Sequence, residues 1–286
     1  MFEIPFETPV QVLRMPVFES YGVEVSIKRD DMIHPFISGN KWRKLKYVID
    51  DAQLQDKKIL VSFGGAYSNH LLALACAGAT SGFTTVGFVR GDAVTNPMLS
   101  LCRIFGMELN FVSREDYSDK RKLFDQHFGK NPKAYFIDEG GRGMLAVKGC
   151  EEILAQHVDF DRVICAVGTG TTLVGIAQAA KRQNRMAEGV CVLKGAGLMD
   201  LEIEQMAGFQ VKVHHAFHCG GYAKTNPELM QWIHAIASQT GILLDQVYTG
   251  KMALAVKILI EQGYYKRGER LLLIHTGGLM GLLSQL

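Results

Sequence analysis

Short continuous apolar runs alternate along this chain with segments whose apolar residues recur every three to four positions. The runs predict strands at 23–28 (VEVSIK), 59–63, 84–89, 108–112, 162–167, 189–193 and 270–275. The periodic segments predict helices at 41–54, 69–78, 96–105, 115–128, 143–157, 171–183, 226–239 and 251–262. Unbroken apolar strands between helices imply mostly parallel sheets covered on both faces, an α/β architecture. In such folds ligands sit at the C-terminal ends of strands, where loops enter the next helix.

One helix carries an unusual residue. Ser38-Gly39-Asn40 reads as a turn, and from Lys41 the chain runs KWRKLKYVIDDA. Leu45, Val48 and Ala52 follow Lys41 on an apolar stripe that Lys44 shares, while Arg43 and Lys46 fall on the side expected to meet solvent. A lysine on a buried face resists protonation and becomes an amine nucleophile. The alternative is a lysine near a helix end that snorkels to water.

Three loops at predicted strand ends could hold a ligand. Gly64-Gly65-Ala66-Tyr67-Ser68-Asn69-His70 precedes a helix, so Ser68 and Asn69 can cap it or meet an anion there. Gly168-Thr169-Gly170-Thr171-Thr172 has the layout of a phosphate cradle, or of a tight strand–helix turn. It lacks the GK[ST] of a Walker loop and the spacing of a dinucleotide fingerprint. His275-Thr276-Gly277-Gly278 ends the last strand, where Thr276 either projects into the crevice or caps a helix.

Composition narrows the classes. The 286 residues are 48% hydrophobic and 21% charged, which describes an ordinary globular protein of two lobes. A net charge of +2 without long basic runs argues against nucleic acid as a partner. The N-terminus lacks a signal-peptide pattern and no apolar stretch approaches a membrane span. Cys76, Cys102, Cys150, Cys165, Cys191 and Cys219 are scattered, as in a chain with reduced thiols, and a cytoplasmic location is expected. His214, His215, His218 and Cys219 are clustered but do not match zinc spacing, so a strand end lining the cleft is expected, with no metal.

The lysine after SGN, the SFGGAYSNH loop, the GTG loop, VYTGKMALAV and the terminal HTGG together resemble one family. It is the 1-aminocyclopropane-1-carboxylate (ACC) deaminase/D-cysteine desulfhydrase family of pyridoxal 5'-phosphate (PLP) enzymes. Its fold is that of the tryptophan synthase β-subunit, PLP fold type II. The resemblance spans nearly the whole chain. It implies a two-domain, three-layer α/β fold, with a larger PLP-binding domain of residues 1–40 and 148–286 and a smaller α/β domain of 41–147. It implies that Lys41 forms the Schiff base and moves the substrate's α-proton, and that Lys44 and the 168–172 loop serve the phosphate. Asn69 would meet the cofactor's phenolic oxygen, and Thr276 would also lie on the cofactor. Ser68 would hold the substrate carboxylate or take part in proton transfer, and Tyr222 and Tyr248 would face the substrate, a small amino acid. A homodimer is also implied.

Two positions bear on the reaction. ACC deaminases place a glutamate, paired with the pyridine nitrogen, where this chain has Thr249, and tend to place a leucine where it has Thr276. A threonine hydroxyl makes the ring a weaker electron sink than a carboxylate does. Opening a cyclopropane needs a strong sink, whereas β-elimination of a thiol proceeds with a weaker one. The expected activity is conversion of D-cysteine, or a similar D-amino acid, to pyruvate, ammonia and sulfide. The alternatives are ACC deaminase, yielding 2-oxobutyrate and ammonia, and a PLP-binding protein without turnover. Three departures from the family stand out: a shorter chain, Thr171 where glycine is common, and the histidine-rich stretch at 213–225.

Overall fold

The computed structural model describes residues 4, 6–155 and 158–283. Ten strands form two sheets among the described residues. The six-stranded sheet joins β1 (Val10–Val12), β2 (Glu24–Lys28), β10 (Arg270–Ile274), β7 (Arg162–Val167), β8 (Met186–Cys191) and β9 (Lys212–His214), in that order. The four-stranded sheet runs β5 (Glu108–Val112), β4 (Thr84–Arg90), β3 (Ile59–Gly64), β6 (Ala134–Phe136). Every pairing is parallel except β1 with β2.

The α-helices among the described residues are α1 (Pro16–Tyr21), α2 (Asn40–Leu54), α3 (Asn69–Ser81), α4 (Pro97–Ile104), α5 (Lys120–Phe128), α6 (Met144–Glu151), α7 (Thr171–Arg182), α8 (Met199–Ala207), α9 (Pro227–Thr240), α10 (Thr249–Glu261) and, after the last strand, α11 (Leu279–Leu283). Alternation along the strands of the larger sheet feeds two cores. Val25, Ile27, Ile164, Leu271 and Leu273 pack with α1, α9 and α10, while Val163, Cys165, Leu272 and Ile274 pack with α6, α7 and α8. In the smaller sheet Leu60 and Val89 face α2, α3 and α4, and Val61, Phe63 and Phe88 face α5. Helices therefore cover both faces of each sheet, giving three layers.

Several boundaries differ from the pattern-based expectation. β8 spans 186–191 rather than 189–193, because the charged Glu188 is an interior strand residue rather than a boundary. The predicted helix 115–128 is divided: a 3-10 turn precedes Asp119, whose carboxylate accepts from the Lys122 amide (2.9 Å) and starts α5. The predicted helix 143–157 ends at Glu151 and continues as a 3-10 turn to Leu154; its last two residues lie outside the described ones. β1, α1, β6, α8, β9 and α11 have no counterpart in the apolar pattern. Most are too short for a period to register.

Arg43 departs most from expectation. It is buried, and its guanidinium donates to both carboxylate oxygens of the buried Asp30 (3.0 and 3.3 Å). Lys46 is half-buried and donates to Glu152 (2.9 Å). The reason is that α2 has no solvent side over these turns. α6 lies across it so closely that a Cβ on Gly149 would stand 1.8 Å from the Arg43 carbonyl oxygen.

The histidine-rich segment also differs from expectation. His214 is buried against Glu188 (2.9 Å) and the Tyr264 ring, His215 meets Asp200 (2.9 Å), and His218 Nδ1 accepts from the Gly220 amide (3.0 Å). They serve separate local partners and do not form one cleft wall. Among the described residues no group of histidine, cysteine and acidic side chains gathers as a metal site would require, and no helix is long and apolar enough to cross a membrane.

Candidate active site at the strand ends

The loops following β3, β7 and β10 converge on the start of α2. Gly39, before α2, has φ +60°, and a Cβ there would lie 2.0 Å from the Thr276 carbonyl oxygen. Gly277 mirrors it, since a Cβ there would lie 2.0 Å from Ser38 Oγ. The turn that presents Lys41 is thus laid directly on the loop that presents Thr276. Asn40 donates to Thr172 Oγ1 (2.9 Å), tying the start of α2 to the start of α7. Lys44 donates to the Gly140 carbonyl (3.0 Å), and Gly140 faces Thr169. A Cβ on Gly278 would lie 3.3 Å from Asn69 Nδ2. A Cβ on Gly168 would meet the Tyr248 ring at 3.2 Å, and that ring meets Tyr222 edge-on at 6.1 Å. Lys44, Asn69, the 168–172 loop, Tyr222, Tyr248 and Thr276 are therefore brought close to the turn 38–40 that leads into Lys41.

Ser68 caps α3, its oxygen accepting from the Leu71 amide (3.2 Å). Capping uses a lone pair and leaves the hydroxyl proton to be directed elsewhere. α7 is different: Gly170 occupies its N-cap in the left-handed region, φ +80°, and no side chain caps it. Its first amides and the helix dipole are thus not satisfied by a side-chain cap, an arrangement that suits an anion.

The electrostatics single out Lys41. Burial first, and the nearby Lys44 second, bring its pKa down from 10.5 to about 7. Burial also lowers Lys44. Tyr248 is pushed well above the usual tyrosine range by burial and by Tyr222, so its phenol stays protonated.

The sequence profile of the pyridoxal-phosphate-dependent enzymes matches residues 4–277. A Thermotoga maritima protein, provisionally named a 1-aminocyclopropane-1-carboxylate deaminase, is 33% identical over 97% of this chain and 96% of its own length. The Arabidopsis thaliana mitochondrial bifunctional D-cysteine desulfhydrase/1-aminocyclopropane-1-carboxylate deaminase is 30% identical over 97% of the chain and 78% of its own length. The crystal structure of an ACC deaminase homologue superposes with a TM-score of 0.85 at 28% identity, covering 97% of this chain and 91% of that one. The chain belongs to the ACC deaminase/D-cysteine desulfhydrase family of PLP-dependent enzymes.

The residues present fit the cofactor of a PLP enzyme. The α7 start, uncapped by any side chain and flanked by Gly168 and Gly170, suits a phosphate. An amine with a pKa near 7 suits reaction with an aldehyde. The same pocket holds a further polar atom that the pattern of residues did not single out. Ser62 Oγ donates to the Ile137 carbonyl (2.8 Å), so in its contact with His70 Nε2 (2.8 Å) the ring must be the donor. His70 Nδ1 is then a bare lone pair, buried and unpartnered. Burial, with the charges of Lys41 and Lys44 beside it, holds His70 neutral.

Two other residues of this PLP enzyme were not marked by motif reading. Asp245 is buried and accepts from the amides of Val247 (2.9 Å), Tyr248 (2.8 Å) and Thr249 (2.8 Å), which fixes the backbone that carries Tyr248. Lys251 is fully buried in the first turn of α10, directly ahead of the apolar run Met252–Val256. Each could have been noticed as a charge inside or just before an apolar helix, the signal that marked Lys41.

Proposed function

We propose that this PLP enzyme is a lyase acting on a small amino acid with a β leaving group, with D-cysteine as its substrate. D-Cysteine and water would give pyruvate, ammonia and hydrogen sulfide, the thiol leaving with the carbon–sulfur bonding pair. The observation that carries the reading is Thr249, where ACC deaminases have glutamate. Its hydroxyl is held by Asp245 (2.6 Å) at a fully buried position. A hydroxyl in that place favours a reaction in which the leaving group takes up the electrons.

Each residue then has a task. Bound PLP supplies a sink for the electrons released when the substrate's α-proton leaves. Lys41 would hold the cofactor covalently and, once the substrate's own amine has displaced it, would take the α-proton as a neutral amine. Gly168, Thr169, Gly170, Thr171 and Thr172 hold the phosphate, with Lys44 beside them. Asn69 and Thr276 orient the ring, and Ser68 directs its hydroxyl proton to the substrate carboxylate. Tyr248, kept protonated, provides a proton for the departing sulfur, with Tyr222 closing that side.

The names of the relatives favour a second reading, deamination of ACC to 2-oxobutyrate. A product screen of the purified holoenzyme with D-cysteine, L-cysteine, D-serine and ACC separates the two. Pyruvate and sulfide from D-cysteine are expected. Release of 2-oxobutyrate from ACC with no pyruvate from D-cysteine would overturn the first reading. We further propose a homodimer, and a cytoplasmic enzyme, the latter supported by six free cysteines. A division into a larger domain of 1–40 with 148–286 and a smaller one of 41–147 is supported by the separate strand sets of the two sheets.

A further inference from the structure

α10 opens directly after Tyr248, and its third residue is Lys251. The next turns are Met, Ala, Leu, Ala and Val, all buried, and a lysine among them is costly unless its ammonium is fully engaged. It engages one loop. Nζ donates to the carbonyls of His218 (2.9 Å) and Gly221 (2.7 Å). These two carbonyls bracket a stretch of left-handed backbone: Cys219 at φ +51°, Gly220 at +93°, Gly221 at +127°, and just beyond it Ala223 at +55°. Cys219 and Ala223 carry a Cβ, so their conformation is strained and persists only where the surroundings impose it.

The residue displayed between this stretch and Ala223 is Tyr222. Its ring is half-exposed and meets Tyr248 edge-on, 6.1 Å between centroids. Two buried charges thus flank the pair. Asp245 holds the backbone of Tyr248 through its amide (2.8 Å), and Lys251 holds the carbonyls at the two ends of the 218–221 turn that leads into Tyr222. Both charges sit within three residues of Tyr248, so the placement of one ring is tied to the placement of the other.

We propose that Lys251 is a positioning residue that draws the His218 and Gly221 carbonyls to one ammonium and thereby sets Tyr222 against Tyr248 at the substrate side of the site. It does not touch the reacting atoms. The consequence for catalysis rests on the reading of Tyr222 and Tyr248 as substrate-facing residues; the clamp itself does not. Without the ammonium the strained turn relaxes, Tyr222 leaves Tyr248, and the wall facing the substrate's β-substituent opens.

The test uses the holoenzyme with Lys251→Met, which keeps the unbranched apolar stem of the side chain and removes its donors. Chymotrypsin cleavage after Tyr222, followed by mass spectrometry, reads the loop, and cofactor absorbance and melting temperature read the fold. Cleavage about tenfold faster than wild type is expected, with the cofactor retained. Unchanged resistance at Tyr222 would overturn the clamp. Should Lys251→Met fail to fold, Lys251→Gln removes the charge and shortens the reach to the two carbonyls, and the same cleavage result decides. Turnover in the Tyr222→Ala background separates the two ideas. If Lys251 acts through Tyr222, Lys251→Met lowers kcat/KM about tenfold alone and adds almost nothing to Tyr222→Ala. If Tyr222→Ala turns over as wild type, the substrate-side reading of that tyrosine fails while the clamp stands or falls on the cleavage.

Discussion

Thr249 gives its hydroxyl proton to Asp245, Oγ1 to Oδ1 at 2.6 Å, and receives the Asp245 amide in return at 3.0 Å. Only an oxygen lone pair is left for any other group, so at this position the chain can accept a hydrogen bond but cannot donate one. The same geometry opposes a simple conversion to the glutamate of ACC deaminases. Thr249→Glu would set a second carboxylate in a fully buried position beside Asp245, which already binds three amides. Like charges so placed cost about 3 kcal/mol or force one carboxyl to stay protonated. We expect Thr249→Glu to lower the melting temperature by several degrees without conferring ACC turnover, and Thr249→Glu/Asp245→Asn to recover part of the loss. Thermal melts and a 2-oxobutyrate assay check both.

Lys41 should declare itself by pH before any substrate is added. Its pKa near 7 means that the amine is cationic below that pH and free above it. The rate at which PLP added to the cofactor-free protein develops its visible absorbance should rise from pH 6 to 8 and level off. An ordinary lysine would still be gaining near pH 10. The folding linkage has a definite sign. A folded-state pKa below the unfolded 10.5 makes Lys41 a cost that is complete below pH 7 and fades as pH rises to 10.5. The cost is on the order of 4 kcal/mol. Lys41→Met should therefore melt higher than the cofactor-free wild type at pH 7, and borohydride should fix no cofactor to it.

Periodicity placed the long strands and helices closely because their side chains alternate between two cores, as Leu271, Leu272, Leu273 and Ile274 do in β10. It failed where partners distant in sequence decide. Glu188 reads as a strand boundary until Arg162, His214 and Tyr265 close round it from β7, β9 and the turn before β10. Arg43 reads as solvent-facing until Asp30 and α6 cover it. The candidate site was legible because its loops carry glycines where close approach demands them and hydroxyls where helices start. Asp245 and Lys251 show in the sequence only as charges beside an apolar run, and His70 not at all, since what each does lies in hydrogen bonds to main-chain groups and a tautomer, which no spacing records.

Gly39 is a place where one methyl group tests the convergence of the loops. Its φ of +60° already disfavours any other residue, and a Cβ would stand 2.0 Å from the Thr276 carbonyl oxygen. That atom is main chain and cannot swing aside as a side-chain tip could. We expect Gly39→Ala to separate the turn before Lys41 from the Thr276 loop, at a stability cost of about 2 kcal/mol or more. PLP affinity should fall with it. Gly82→Ala, also at positive φ but with open space around it, should cost less and leave PLP affinity alone. Equilibrium titration of PLP absorbance on the two variants makes the comparison.

Glu188 offers a stability handle remote from the strand ends that gather the site. Its carboxylate accepts from Arg162 (2.6 Å), Tyr265 (3.0 Å) and Tyr264 (3.2 Å), and it pairs with His214 (2.9 Å). Burial pushes its pKa up, but the hydrogen bonds from His214, Arg162 and Tyr265 outweigh burial and hold it below the ordinary 4.5. A carboxyl with a depressed folded-state pKa contributes stability that is present above 4.5 and is lost as pH falls through its folded value. Melting temperature should therefore fall steeply for wild type on acidification below pH 4.5. Glu188→Gln, which cannot ionise, should be less stable by about 3 kcal/mol at pH 7 because Arg162 and His214 lose a charged partner. Its loss on acidification should be shallower, so the two melting curves approach each other at low pH. Because Glu188 belongs to the opposite half of β8 from the ligand-facing ends, turnover per folded molecule at neutral pH should be unchanged. Parallel acid-side curves for the two proteins would show that the network carries no ionised carboxylate.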